Sequence, residues 1–116
     1  MTRKNVILRF PLVLALFATF ALGAVSASAQ ETYTIVIKDH RMSPAELEVP
    51  AGKKIKLLVD NQDPTPEEFE SHSLNREKVI PGNSKATIFI GPLKPGSYEF
   101  FGEFHEATAQ GRIVAK

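Results

Sequence analysis

The chain of 116 residues contains no cysteine and no tryptophan, and only two methionines, two tyrosines and three histidines. Without cysteine there is no disulfide to staple a small domain and no thiolate to hold a soft metal ion. Lysine and arginine do not cluster with interleaved aromatics, so the footprint of a nucleic-acid binder is missing. The serines around His72 lie in no recognisable nucleophile turn, and no Asp-His-Ser order is legible, which argues against a hydrolase. Beyond residue 29 no segment keeps a helical period for ten residues, and neither an internal repeat nor a low-complexity tract is present.

What is present begins with a leader. Arg3, Lys4 and Arg9 precede an apolar run over residues 10–25, and Ala27-Ser28-Ala29 supplies small residues suited to signal peptidase. The run is shorter than the roughly 20 residues a membrane span prefers. A cleaved secretory signal over 1–29 and a single domain over 30–116 are therefore expected, with the mature protein in the periplasm and not inserted in the membrane. Cleavage removes three of the 14 Lys and Arg and leaves 11 against 13 Asp and Glu, so a net charge of +1 becomes −2.

The mature chain is all-β in pattern. Short alternating apolar runs occupy 33–38, 47–49, 55–60, 78–80, 86–90, 98–101 and 112–115. Pro50-Ala51-Gly52, Pro81-Gly82-Asn83 and Pro95-Gly96 punctuate them, Pro fixing φ and Gly or Asn tolerating the left-handed region. The spacing predicts a Greek-key β-sandwich of seven or eight strands, with His105 on the loop entering the last one. A domain without disulfides relies on its core, and on any metal it binds, for stability.

Three segments place two candidate ligands at i and i+2: His40 and Met42, Glu68 and Glu70, Glu103 and His105. In an extended chain such pairs point to one side. Imidazole, carboxylate and thioether form a mixed donor set that suits copper and accommodates iron, whereas calcium takes oxygen alone. Competing structural readings exist for most of them. Met42 is as well read as an apolar plug under the loop, His72 as a surface residue, and Glu67, Glu68 and Glu70 as a solvated acidic edge. Phe69 in the midst of that edge nevertheless implies a strand with one buried face.

The stretch Tyr98-Glu99-Phe100-Phe101-Gly102-Glu103-Phe104-His105, followed by Gly111-Arg112-Ile113-Val114, resembles the C-terminal copper loop of the cupredoxins. Gly102 stands where that family has its cysteine, His105 keeps the histidine, and Gln110 lies near the usual methionine. More narrowly, Asp39-His40-Arg41-Met42-Ser43-Pro44, Glu67-Glu68-Phe69-Glu70-Ser71 and Arg76-Glu77-Lys78-Val79-Ile80-Pro81-Gly82 look like the cupredoxin-like proteins of bacterial ferrous-iron uptake systems. These include the Ftr-type periplasmic cupredoxin and the N-terminal domain of the Efe-type iron protein. Met42 and Gly102 occupy places where the Efe-type domain has cysteines, and Glu68, Glu70 and Glu77 match its carboxylates.

The resemblance implies a β-sandwich that binds copper, iron or both through His105, His40, Met42, Glu68, Glu70 and Glu103. It implies a periplasmic metal binder rather than a ferroxidase in its own right, assisting ferrous-iron import either through Fe(II) oxidation or through delivery of iron. Its partners would be an inner-membrane iron permease and a second periplasmic metal-binding protein. A copper-tolerance protein and a metal-free interaction module are the alternative readings.

Overall fold

The structure, a computed structural model, describes residues 31–116. The leader expected over 1–29 lies outside the described residues. Among the described residues nine strands follow one another: β1 (Thr32–Lys38), β2 (Arg41–Ser43), β3 (Glu46–Val49), β4 (Ile55–Asn61), β5 (Glu67–Ser71), β6 (Arg76–Ile80), β7 (Ser84–Ile90), β8 (Gly96–Phe101) and β9 (Gln110–Ala115). Among the described residues only a 3₁₀ turn, Glu103–His105, breaks the all-β pattern. All seven apolar runs became strands. The acidic segment around Phe69 adds β5, and the three-residue β2, too short to show a period, raises the total from the expected seven or eight to nine.

The strands form two sheets, one of four in the order β2-β1-β4-β7 and one of five in the order β3-β9-β8-β5-β6. β1 runs parallel to β4 and β3 parallel to β9, while the other pairs are antiparallel. The period-2 pattern decides what lies between the sheets. In β4 alternate residues Ile55, Leu57, Val59 and Asn61 are buried. They meet Ile35 and Ile37 of β1, Ile88 and Ile90 of β7, and, from the other sheet, Phe69, Phe100 and Ile113. The Phe69 and Phe100 rings sit 5.3 Å apart between centroids and tilted by 31°, an offset contact of the kind that aromatic pairs favour.

Asn61 ends the inward-facing row of β4 where another aliphatic residue would fit the pattern. Its side chain is fully buried, and its Nδ2 donates toward the carbonyls of Thr65 (2.9 Å), Ile80 (3.1 Å) and Pro81 (3.1 Å). Its Oδ1 accepts the backbone N–H of Asp63 at 2.9 Å. One amide thereby satisfies backbone groups that enter β5, leave β6 and position Asp63, all at the same end of the sandwich. Replacing Asn61 by Ala strands those groups away from water, so stability should fall by about 2 to 3 kcal/mol. Thermal melting checks this, with a drop of roughly 4–8 °C expected for each kcal/mol.

Candidate metal centre

The two-residue connection between β1 and β2 carries the first histidine. Lys38 pairs with Arg41, leaving Asp39 and His40 as the turn, with φ of 53° and 57°. Positive φ at both central positions is what a type I′ hairpin turn requires, and it is uncommon for a residue such as His. The nearly buried Asp63 carboxylate offsets the strain. Its Oδ1 accepts the N–H of Asp39 at 2.7 Å and its Oδ2 the N–H of His40 at 3.0 Å. Burial, the largest single influence, would raise the pKa of Asp63, but the two backbone bonds together with a hydrogen bond to Glu67 and the charge of His40 hold it below the ordinary value.

The second histidine arrives on the 3₁₀ turn after β8. Gly102 N–H donates to Ala109 O at 2.9 Å, and Ala109 N–H to His105 O at 2.8 Å, closing the loop on itself. Thr108 Oγ1 then donates to the carbonyl of His40 at 2.5 Å, joining the two histidine-bearing turns. The imidazoles stack, with centroids 3.5 Å apart and planes 18° from parallel. Beneath them lies Glu67, wholly buried at the start of β5. Glu67 Oε1 is 2.6 Å from His40 Nδ1, and Oε2 is 3.2 Å from His105 Nδ1. The hydrogen bond to Glu67 is the largest reason that the pKa of His40 is raised above its ordinary value, with the charges of Glu67, Asp63 and Asp39 adding to it.

His40, Glu67 and His105 each offer one ligand atom, all within 4.8 Å of one another. Two imidazole nitrogens and one carboxylate make an N₂O set that fits Cu(II) or Fe(II) and leaves positions open. The set does not fit a blue copper centre, which needs a thiolate. A side chain at the position where cupredoxins have cysteine would also collide: a Cβ on Gly102 would lie 2.8 Å from the carbonyl oxygen of Glu68 and 3.2 Å from the Met42 methyl. Met42 itself is 4% exposed and belongs to the apolar core.

The expected single set of ligands divides into two. Glu68 and Glu70 do share a face, as their spacing implied, but it is the face of β5 opposite to Glu67 and Phe69. There they meet Glu77 from β6 and Glu103 from the 3₁₀ turn, again with ligand atoms all within 4.8 Å of one another. Glu103 and His105 do not face one way, because at three residues per turn positions i and i+2 lie about 120° apart. His40 and Met42 part for a similar reason: His40 sits in the left-handed turn, and the strand alternation starts only after it. Glu67 was not among the expected ligands. The signal that identifies it is parity, since a buried Phe69 turns Glu67 and Ser71 inward with it. Gln110 is exposed and donates to the Glu106 carbonyl at 2.6 Å, while His72 rests against Phe101 at 5.3 Å.

Glu68 is 2% exposed, and its pKa is raised from 4.5 to about 7. Burial is the main cause, followed by the charge of Glu70, a hydrogen bond and charge from Glu103, and the charge of Glu77. The sign of each shift sets a stability profile for the metal-free protein. Asp63, lowered, stabilises above 3.8 and loses its contribution as pH falls further. Glu68, raised, stabilises fully below 4.5 and loses its contribution as pH rises through about 7, while His40 follows the same course above 6.5. Melting temperature of chelator-treated protein should therefore peak in the mildly acid range and fall toward pH 8. In the Glu68→Gln variant the alkaline fall should be much reduced, and an unchanged fall would place its cause elsewhere.

Comparison with known proteins agrees with this architecture. Residues 11–115 match the model of the family described as a cupredoxin-like domain. An uncharacterized protein of Rickettsia prowazekii (strain Madrid E) is 52% identical over 80 residues, which cover 69% of this chain and 64% of that protein. The chain thus spans less than two thirds of that relative's length. Among solved structures, the blue copper protein auracyanin A of Chloroflexus aurantiacus superposes with a TM-score of 0.65 at 15% identity, covering 76% of this chain and all of its own. A purple cupredoxin of Nitrosopumilus maritimus gives 0.56 at 18%, covering 72% and 98%. The metal-binding domain of the Cu(I)-exporting P-type ATPase CopA of Streptococcus pneumoniae, solved with Cu(I), gives 0.61 at 16%, covering 73% and 84%. At such identities the likeness to these structures is one of fold.

Proposed function

Because the chain belongs to the cupredoxin-like domain family yet sets a buried carboxylate between its two histidines where the blue copper members use a thiolate, we infer that it is a periplasmic metal-binding protein that assists ferrous-iron uptake. The observation that carries this reading is the position of Glu67, wholly buried and shared between His40 Nδ1 and His105 Nδ1. Substituting carboxylate for thiolate hardens the donor set. Two histidines and one carboxylate is the combination that non-haem Fe(II) sites use, and nitrogen with oxygen also suits Cu(II).

His40, Glu67 and His105 hold the metal. Copper held there would supply one-electron redox chemistry, and iron held there would be cargo. The chain's own residues do the rest. Asp63 fixes the His40 turn through two backbone bonds, Thr108 ties that turn to His105, and Glu67 orients both rings by holding their Nδ1 atoms toward one point. Because imidazole and carboxylate ligate a cation only when deprotonated, metal binding there would release protons and weaken in acid. The partners this reading requires are an inner-membrane iron permease and a second periplasmic metal-binding protein.

Replacing His105 by Ala should weaken Cu(II) binding at least tenfold, about 1.4 kcal/mol. Glu67→Gln keeps the shape and removes the charge, and should weaken Fe(II) and Cu(II) together by a similar factor; calorimetric titration of the mature protein measures both. The physiological test is growth on limiting Fe(II) of a strain lacking the gene, complemented with wild type or with Glu67→Gln. Normal iron-limited growth combined with copper sensitivity would replace the iron reading by one of copper tolerance.

A further inference from the structure

We propose that the outward face of the four-stranded sheet docks the protein on an anionic lipid surface. Strand register decides what this face carries. Ile35 and Ile37 of β1 and Ile55, Leu57 and Val59 of β4 point into the core, so the residues between them point out. On that outer side Lys56 stands beside Phe89, Asp60 beside Lys85, and Lys38 directly opposite Arg41. Phe89 is 45% exposed, and the Lys54 ammonium lies 5.0 Å from the centroid of its ring. Between the cations lie half-buried Val36 and Leu58 and exposed Thr34 and Thr87.

Two observations point from this face to an anion. Like charges directly opposite across two strands are destabilising, yet Lys38 and Arg41 are held in that position. Among the described residues, moreover, no ion pair engages Lys38, Arg41, Lys56 or Lys85. Asp60, across from Lys85, is taken up by Gln62, whose Nε2 donates to its Oδ2 at 3.1 Å. Asp39 and Glu31 lie only at the ends of the face, and Glu31 accepts from the Tyr33 hydroxyl. The other sheet carries the opposite sign. Glu46 and Glu48 of β3, Glu70 of β5, Glu77 of β6 and Glu99 of β8 point outward there, with Arg112 of β9 among them. An anionic surface therefore attracts one face of the sandwich and repels the other, which orients the molecule as well as binding it.

A second copy fits this face poorly, because an isologous pairing sets its lysines against themselves. A headgroup layer fits better than a folded acidic protein. Lipids rearrange around a row of cations without the shape complementarity that a protein interface needs, and an aromatic ring on such a face enters the boundary between headgroups and acyl chains. The face also sets the position of the metal centre. His40 follows Lys38 and precedes Arg41 across the β1–β2 turn, so a molecule resting on these cations holds His40 at the rim of the contact. Lipid docking does not depend on the function proposed above, and it is read on metal-free protein.

The test is co-sedimentation of the metal-free mature protein with vesicles of phosphatidylcholine or of phosphatidylglycerol. Only the anionic vesicles should bind it, and about 0.5 M salt should release it. The Lys56→Gln, Lys85→Gln double variant should bind phosphatidylglycerol about 30-fold more weakly. Phe89→Thr, which leaves the charge as it is, should bind roughly fivefold more weakly. An Arg112→Gln, Lys116→Gln double variant changes net charge by the same amount on the opposite sheet, and should bind within about twofold of wild type. Absence of binding to phosphatidylglycerol, or equal losses in the two double variants, overturns the docking face. Retention by poly-glutamate without retention by vesicles would give the face to an acidic protein. A dimer in sedimentation velocity that the Lys56→Gln, Lys85→Gln variant abolishes would give it to a second copy, and either of these results likewise overturns the lipid surface.

Discussion

A carboxylate with no access to solvent must find partners inside the protein, and Glu67 finds them in two imidazoles. That requirement organises the whole end of the sandwich. His40 comes from a hairpin turn in one sheet, Glu67 from a strand of the other, and His105 from the 3₁₀ turn before the last strand. Three segments distant in sequence are held together because one buried carboxyl group is shared by both rings. Replacing only one partner leaves a charge in the interior without compensation, which is why buried pairs are far more sensitive to breakage than to exchange as a unit.

The same strand separates two kinds of donor chemistry. Side chains alternate along β5, so the first glutamate faces the imidazoles and the second faces other carboxylates. A register slip of one residue would exchange the two faces and bring Phe69 into solvent, so the burial of Phe69 against Phe100 indirectly fixes which glutamate meets nitrogen. Packing energy in the core thus determines ligand identity at the metal centre. The backbone between the two clusters is also covered closely, for the carbonyl oxygen of Glu68 lies where a side chain at Gly102 would have to go. Exchange of the family's cysteine for glycine is accordingly more than the loss of a ligand, because the space itself has closed.

The sheets were legible in the sequence because their strands are half-buried and bounded by Pro and Gly, and period-2 alternation is a strong signal there. Membership of the metal centre was legible only for its two histidines. Pair spacing at i and i+2 presumes extended backbone, and two of the three pairs lie where the backbone is not extended: His40 has φ of 57°, and Glu103 and His105 share a 3₁₀ turn. The third pair was extended as presumed, yet its face could be decided only by following Phe69 inward. Residues that hold the centre without belonging to it, Asn61 and Asp63, carry no local pattern at all. Their roles exist only after β4 and the loop beyond it have folded against β6.

That supporting layer bears on how the centre works. Two successive residues with positive φ are strained for Asp and His, and they persist because Asp63 accepts both of their N–H groups while Asn61 holds Asp63 in turn. The strain is met on folding, before any cation arrives, and so is the entropy of fixing the rings. A ligand set assembled in advance binds with less ordering left to do than one that must be gathered by the ion. Loosening Asp63 therefore acts on metal affinity through geometry alone, without touching a donor atom, and marks the difference between a residue that binds and one that positions.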